Sequence, residues 1–186
     1  MWLANVFMGV VVKELWGRLA PYQQNRLLSF LNPEGDPRAT GWHIIQSKVA
    51  IGSGGLFGKG FTEGTQKRLA FLPAQHTDFI FSVVGEELGF LGVIVTIGLF
   101  GVLLLQLVRV ARRAGDPFSS LVAFGVTGMM CAHVLENIGM TVGMMPITGI
   151  PLPFFSYGGS FMVTMCAALG IVLRVGQEGR SGYTSG

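Results

Sequence analysis

The stretch LGFLGVIVTIGLFGVLLLQLV, residues 88–108, decides the fold. It holds no ionisable side chain, and as helix, at about 1.5 Å per residue, it reaches roughly the 30 Å of a bilayer core. In lipid such a backbone must satisfy its own hydrogen bonds, so the stretch reads as a membrane-spanning helix. Downstream, residues 117–135 are broken only by His133, and after Glu136 no charge appears until Arg174. That run is too long for one span. The cluster PITGIPLPFFSYGG, residues 146–159, divides it into a helix ending near Gly143 and another over residues 156–175. Upstream, MWLANVFMGVVV, residues 1–12, would reach only about 18 Å as helix and lacks both the positive start and the cleavage site of a signal peptide. It reads as the end of a span that begins outside this chain.

Composition agrees with a membrane protein. Half of the residues are hydrophobic and 12% are charged, about half the charged share of a soluble domain. The net charge of +3 is spread through loops and forms no basic groove, which argues against nucleic-acid binding. Cys131 and Cys166 stand singly in apolar runs, without metal spacing, and read as small buried hydrophobes.

Arg109, Arg112 and Arg113 lie in the short loop RVARRAGDP, which the positive-inside rule puts in the cytoplasm, together with Arg174 and Arg180. Asp78 and the loop Met144 to Pro153 then share the outer face. The expected organisation is all-α: a polytopic integral membrane bundle with a large extracytoplasmic loop containing amphipathic helices. Residues 1–12 end an incomplete span, 13–77 form the loop, and 78–186 form a three-span bundle with a cytoplasmic C-terminus. Within the loop, GWHIIQSKVAI (41–51) puts Trp42, Ile45 and Val49 near one face, as in an interfacial helix. GSGGLFGKGFTEG (52–64) should end that helix. A phosphate-loop pattern fails there, because Ser53 stands where glycine is needed and Gly60 where Ser or Thr is needed. Freed glycine amides near Lys48, Lys59, Lys67 and Arg68 are still suited to an anionic group.

In QHTDFIF, residues 75–81, a carboxylate stands at the membrane border. Thr77 and Asp78 fit a helix cap, and Asp78 equally fits a site at the outer face. If the helix runs unbroken into the apolar stretch, it carries Glu86 and Glu87 about 12 Å deeper than Asp78, where charge must face protein or a wet cavity. Hydrogen bonding between helices is their expected job. His133, Glu136 and Asn137 share a helix face and read as a polar network joining two spans. Gly85 with Gly89, and Gly139 with Gly143, have the spacing that lets helices approach closely.

GWHIIQSKVAIGSGGLFGKG, then FLPAQHTDFIFSVVGEELG, then NIGMTVGMMPITGIPLPFFSYGGS resemble the SEDS proteins of bacterial cell-wall synthesis, the RodA, FtsW and SpoVE group, with HIIQSKVAIGSGG closer to the RodA branch. The resemblance runs over residues 21–174 and is to the last third to half of a protein of about ten spans. It implies a peptidoglycan glycosyltransferase of the bacterial cytoplasmic (inner) membrane, polymerising lipid II during cell elongation and shape maintenance. It further implies a class B penicillin-binding transpeptidase as partner, along with other elongation-machinery membrane proteins. The family's essential aspartate maps onto Asp78, as general base. The departing pyrophosphate needs positive charge, from Lys48, Lys59, Lys67 and Arg68 or from a divalent cation such as Mg or Mn, and His76 stands ready to orient Asp78 or the acceptor. A lipid-II flippase and a noncatalytic scaffold are the rival readings. A chain without the first spans is expected to be inactive alone.

Overall fold

The computed structural model describes residues 17, 19–21, 23, 24, 26, 28, 40–60 and 78–184. Among them the long helices are α1 (Thr40–Ser53), α2 (Ile80–Arg112), α3 (Pro117–Thr141) and α4 (Gly159–Thr184), and no strand occurs. α2, α3 and the Gly159–Glu178 part of α4 are each long and apolar enough to cross a membrane, with mean hydropathies of 2.6, 1.6 and 1.7. The protein is an all-helical, multi-pass membrane protein. Residues 1–12 and 61–77, and with them the incomplete span and much of the expected loop, lie outside the described residues.

The spans begin and end for local reasons. Asp116 caps α3 by accepting a hydrogen bond from the Ser119 amide at 2.8 Å, with Pro117 following in the first turn, where its missing N–H costs nothing. The same bond holds the Asp116 carboxyl below its usual range. α3 stops at Thr141, and Gly143 then takes a left-handed φ of 76° while Met144 donates to the Gly139 carbonyl. α4 starts at Gly159, later than its sequence suggests. Residues 152–156 are tied in a turn instead: the Leu152 amide donates to Ser156 Oγ at 2.7 Å, and the Ser156 amide returns to the Leu152 carbonyl. Phe154 sits in that turn at φ 66°, a costly setting for a residue with a Cβ, and its ring packs against both core clusters.

One cluster joins Leu107 and Ala111 of α2, Ala123 and Met130 of α3, and Met165, Val172 and Val175 of α4. The other joins Phe81, Phe100 and Val134 to Leu152, which is fully buried, so the 142–158 loop folds into the bundle.

α2 is not one continuous helix. Gly89 has φ 66° and ψ −164°, a conformation open essentially to glycine alone, and it separates arms 80–88 and 90–112. The condition of an unbroken helix, on which the depth expected for Glu86 and Glu87 rests, is therefore not met. In an α-helix the amides of residues 90 and 91 would bond the carbonyls of 86 and 87. Here the glycine-rich loop after α1 inserts between them. Its Lys59 and Gly60 amides donate to the Glu86 and Glu87 carbonyls at 3.0 and 3.2 Å, while Phe90 and Leu91 donate to the Gly55 and Leu56 carbonyls at 2.9 and 3.2 Å. Both missing helical bonds are thus replaced at each end.

α1 leads into this seam. Its buried stripe is Gly41, Ile44, Ser47 and Ala50, whereas Trp42 and Val49 are exposed and Ile45 is half-buried. The face that packs on protein is therefore the small-residue one, and Trp42 and Val49 of the opposite, interfacial face stay exposed. Small side chains let the backbones meet: a Cβ on Gly54 would overlap the Gly85 carbonyl, and one on Gly85 would come within 3.1 Å of Ile51. Ser47 Oγ pairs with Ser82 Oγ and donates to the Thr141 carbonyl, each at 2.6 Å, tying α1 to α2 and α3.

A Cβ on Gly89 would overlap the Gly58 amide nitrogen, and one on Gly58, itself at φ 78°, would overlap the Glu87 carbonyl. Gly58→Ala and Gly89→Ala are therefore expected to cost more than the roughly 1–3 kcal/mol of backbone strain alone. Gly52→Ala, where a Cβ meets nothing within 4 Å, should be tolerated. Thermal unfolding of the purified variants in detergent checks the contrast.

Candidate active site

Asp78 is half-buried and stands just before α2. It does not cap the helix. The cap position belongs to Phe79, which makes no side-chain cap bond, and Thr77 lies outside the described residues. The backbone carbonyl of Asp78 instead accepts a hydrogen bond from Asn137 Nδ2 at 2.9 Å. The same nitrogen donates to the Ile150 carbonyl at 2.8 Å. Ile150 follows Gly149, whose φ of 77° brings the loop close to the carboxylate: a Cβ there would lie 3.4 Å from Asp78 Oδ2. The end of the border segment and the buried loop are thereby joined through one amide, with the carboxylate facing the loop.

The basic residues separate. Lys48 is exposed on α1, and its stem crosses Gly143, so that its ammonium group lies over the C-terminal end of α3, where helix carbonyls favour a cation. Gly143 belongs to the loop that carries Gly149 to Asp78. Lys59 sits at the other end of arm 80–88, where its Nζ pairs with Glu86 Oε1 at 2.9 Å. The Glu86 side chain is 1% exposed and that of Lys59 is 29% exposed. Lys59 thus meets a buried carboxylate within the seam. Glu87 is buried beside it, one residue further along the arm. Lys67, Arg68 and His76 lie outside the described residues.

His133, Glu136 and Asn137 do not join into one network among the described residues. His133 Nδ1 bonds the Met129 carbonyl of its own helix at 2.9 Å, and its ring stacks on Phe161 of α4 at 5.4 Å. Both protons of Asn137 go to backbone carbonyls of other segments. Glu136 is half-buried. No group of His, Cys, Asp or Glu side chains able to hold a metal ion occurs among the described residues.

One residue near the site was not singled out by sequence. His43 of α1 packs its ring 6.1 Å from that of Phe79, the neighbour of Asp78. Burial pushes its pKa below the ordinary histidine value. Its Nδ1 is buried, with no hydrogen-bond partner among the described residues. The signal was present in the helical spacing, since His43 stands four residues before the buried Ser47.

The family model of the FtsW, RodA and SpoVE cell cycle proteins matches residues 1–181. The chain belongs to this family. It is 50% identical over 157 residues to peptidoglycan glycosyltransferase RodA of Treponema pallidum, covering 84% of this chain and 36% of that protein. It is 44% identical over 174 residues to peptidoglycan glycosyltransferase MrdB of Escherichia coli K12, covering 93% and 47%. These two relatives support its place on the RodA side of the family. A solved chain from a peptidoglycan synthase complex superposes with a TM-score of 0.71 at 36% identity, covering 95% of this chain and 48% of the other. The chain thus spans about half the length of its relatives, or less.

The Lys59 and Glu86 pair carries a prediction. Lys59→Met and Glu86→Gln are expected to be non-additive by about 0.5–3 kcal/mol, because either single change already removes the ion contact between the two side chains. Unfolding of the single and double variants measures this coupling, and strict additivity would show that the pair is uncoupled.

Proposed function

We propose that the complete protein is a peptidoglycan glycosyltransferase that polymerises lipid II, with Asp78 as general base. The observation that carries the reading is a half-buried carboxylate at the start of a membrane span, turned toward a loop folded into the bundle. It occurs in a family whose members at 50% and 44% identity are named peptidoglycan glycosyltransferases.

The chemistry asks for such a group in such a place. The 4-hydroxyl of an acceptor sugar attacks C1 of a lipid-linked sugar. The new C–O bond forms as the bond to pyrophosphate breaks, C1 inverts, and the hydroxyl proton passes to the Asp78 carboxylate. A base at the membrane border meets a substrate whose sugars are in water and whose chain is in lipid. The leaving pyrophosphate needs cationic stabilisation. Lys48, on the same loop side as Asp78, is the described residue best situated for it, and Lys67 and Arg68 remain candidates from the sequence. His76 retains a proposed orienting role. Lys59, already engaged by Glu86, serves the seam in this account.

The same reading puts Asp78 and the 142–158 loop at the outer face of the bacterial inner membrane, with Arg109, Arg112 and Arg113 in the cytoplasm. A class B penicillin-binding transpeptidase is the proposed partner. The activity belongs to the complete protein, of which this chain resembles the C-terminal part.

The test is glycan polymerisation from purified lipid II by the complete protein with its transpeptidase. Asp78→Asn is expected to lower the rate by about 10²- to 10⁴-fold, the range of general-base catalysis, while folding and partner binding persist. A folded, partner-bound Asp78→Asn protein that polymerises normally would remove the assignment, and lipid-II translocation without polymerisation would favour transport.

A further inference from the structure

Asn137 is wholly buried in α3, and the proposed reaction gives it no role. Its amide nitrogen spends both protons on backbone carbonyls, those of Asp78 at 2.9 Å and Ile150 at 2.8 Å. These bonds fix which way the amide points. Turned over, it would set its oxygen against two carbonyl oxygens, all acceptors. In the observed orientation Oδ1 has no partner among the described residues, so the side chain forgoes an acceptor bond in order to keep both donor bonds.

One carbonyl belongs to the residue that bears the carboxylate, and the other to the loop that the carboxylate faces. Holding the Asp78 carbonyl sets the direction in which its own Cα–Cβ bond leaves the chain. Holding Ile150 sets the neighbouring Gly149, whose left-handed backbone approaches Oδ2. A single side chain therefore determines the separation between the carboxylate and the loop it faces. Ser82, further along the same arm, is anchored separately through Ser47 and Thr141, so the arm as a whole does not depend on Asn137. What depends on it is the short border segment ahead of the helix.

We infer that Asn137 is a positioning residue for Asp78, a clamp that presets the carboxylate for proton transfer by bridging the Asp78 and Ile150 carbonyls. This rests on the reading of Asp78 as general base. A base displaced by about an ångström can lose on the order of 100-fold in rate while substrate binding, set elsewhere, is little changed. Removing the clamp should therefore appear in kcat and not in KM.

The experiment uses the complete protein with its transpeptidase partner and purified lipid II. Asn137→Asp is nearly isosteric but supplies no donor when ionised, and Asn137→Ala removes the group. Both are expected to lower kcat by about 10- to 100-fold with KM for lipid II unchanged. In an Asp78→Asn background, Asn137→Ala should lower the residual rate little further, since the clamp acts through a base already removed. The inference is overturned if a folded variant keeps its kcat, if the two losses multiply, or if neither variant folds, since the side chain then serves the fold. A fully active Asp78→Asn protein removes the general-base reading and this inference with it. An inactive Asp78→Asn beside fully active Asn137 variants removes the inference alone.

Discussion

A helix interrupted inside an apolar environment must find partners for the backbone groups it frees, and the arrangement at Gly89 follows from that constraint. Each amide or carbonyl left bare in lipid costs several kcal/mol. The loop 54–60 meets the demand with two amides for the Glu86 and Glu87 carbonyls and two carbonyls for the Phe90 and Leu91 amides. The approach is possible only because Gly54, Gly58, Gly85 and Gly89 carry no side chains where the backbones touch. The Lys59 to Glu86 ion pair then closes the seam with charge in a place where neither group could remain alone.

The site at the other end of arm 80–88 inherits its geometry from this seam. With the arm anchored to α1 and the loop beyond it, its first residues are held against α3 through Ser47, Ser82 and Thr141. The border segment is held through Asn137. The loop that faces Asp78 is itself buried at Leu152 and stiffened by its turn at Phe154. The Asp78 carboxylate thus sits among fixed backbone elements, a setting that suits the general base proposed for the complete protein.

The spans were legible because uninterrupted apolar runs admit few alternatives, and the border aspartate stood out because it is a charge beside such a run. The break at Gly89 was not legible. Glycines are common in membrane helices, and EELGF has the composition of a continuous one. The pairing of that break with a glycine-rich stretch some thirty positions earlier is a long-range backbone match that no local pattern encodes. The packed face of α1 was not legible for a related reason. Trp42, Ile45 and Val49 are the larger apolar residues, but close backbone packing selects Gly41, Ser47 and Ala50. Asn137 was legible as polar and helical, yet its partners are carbonyls, and carbonyls carry no sequence signature.

The seam at Gly89 is the central claim, and amide hydrogen exchange of the complete protein in a lipid nanodisc tests it most directly. The amides of Lys59, Gly60, Phe90 and Leu91 should exchange as slowly as those in the middle of α2, since each is bonded within the seam. Exchange of the Lys59 and Gly60 amides at the rate of an open glycine loop would contradict the account.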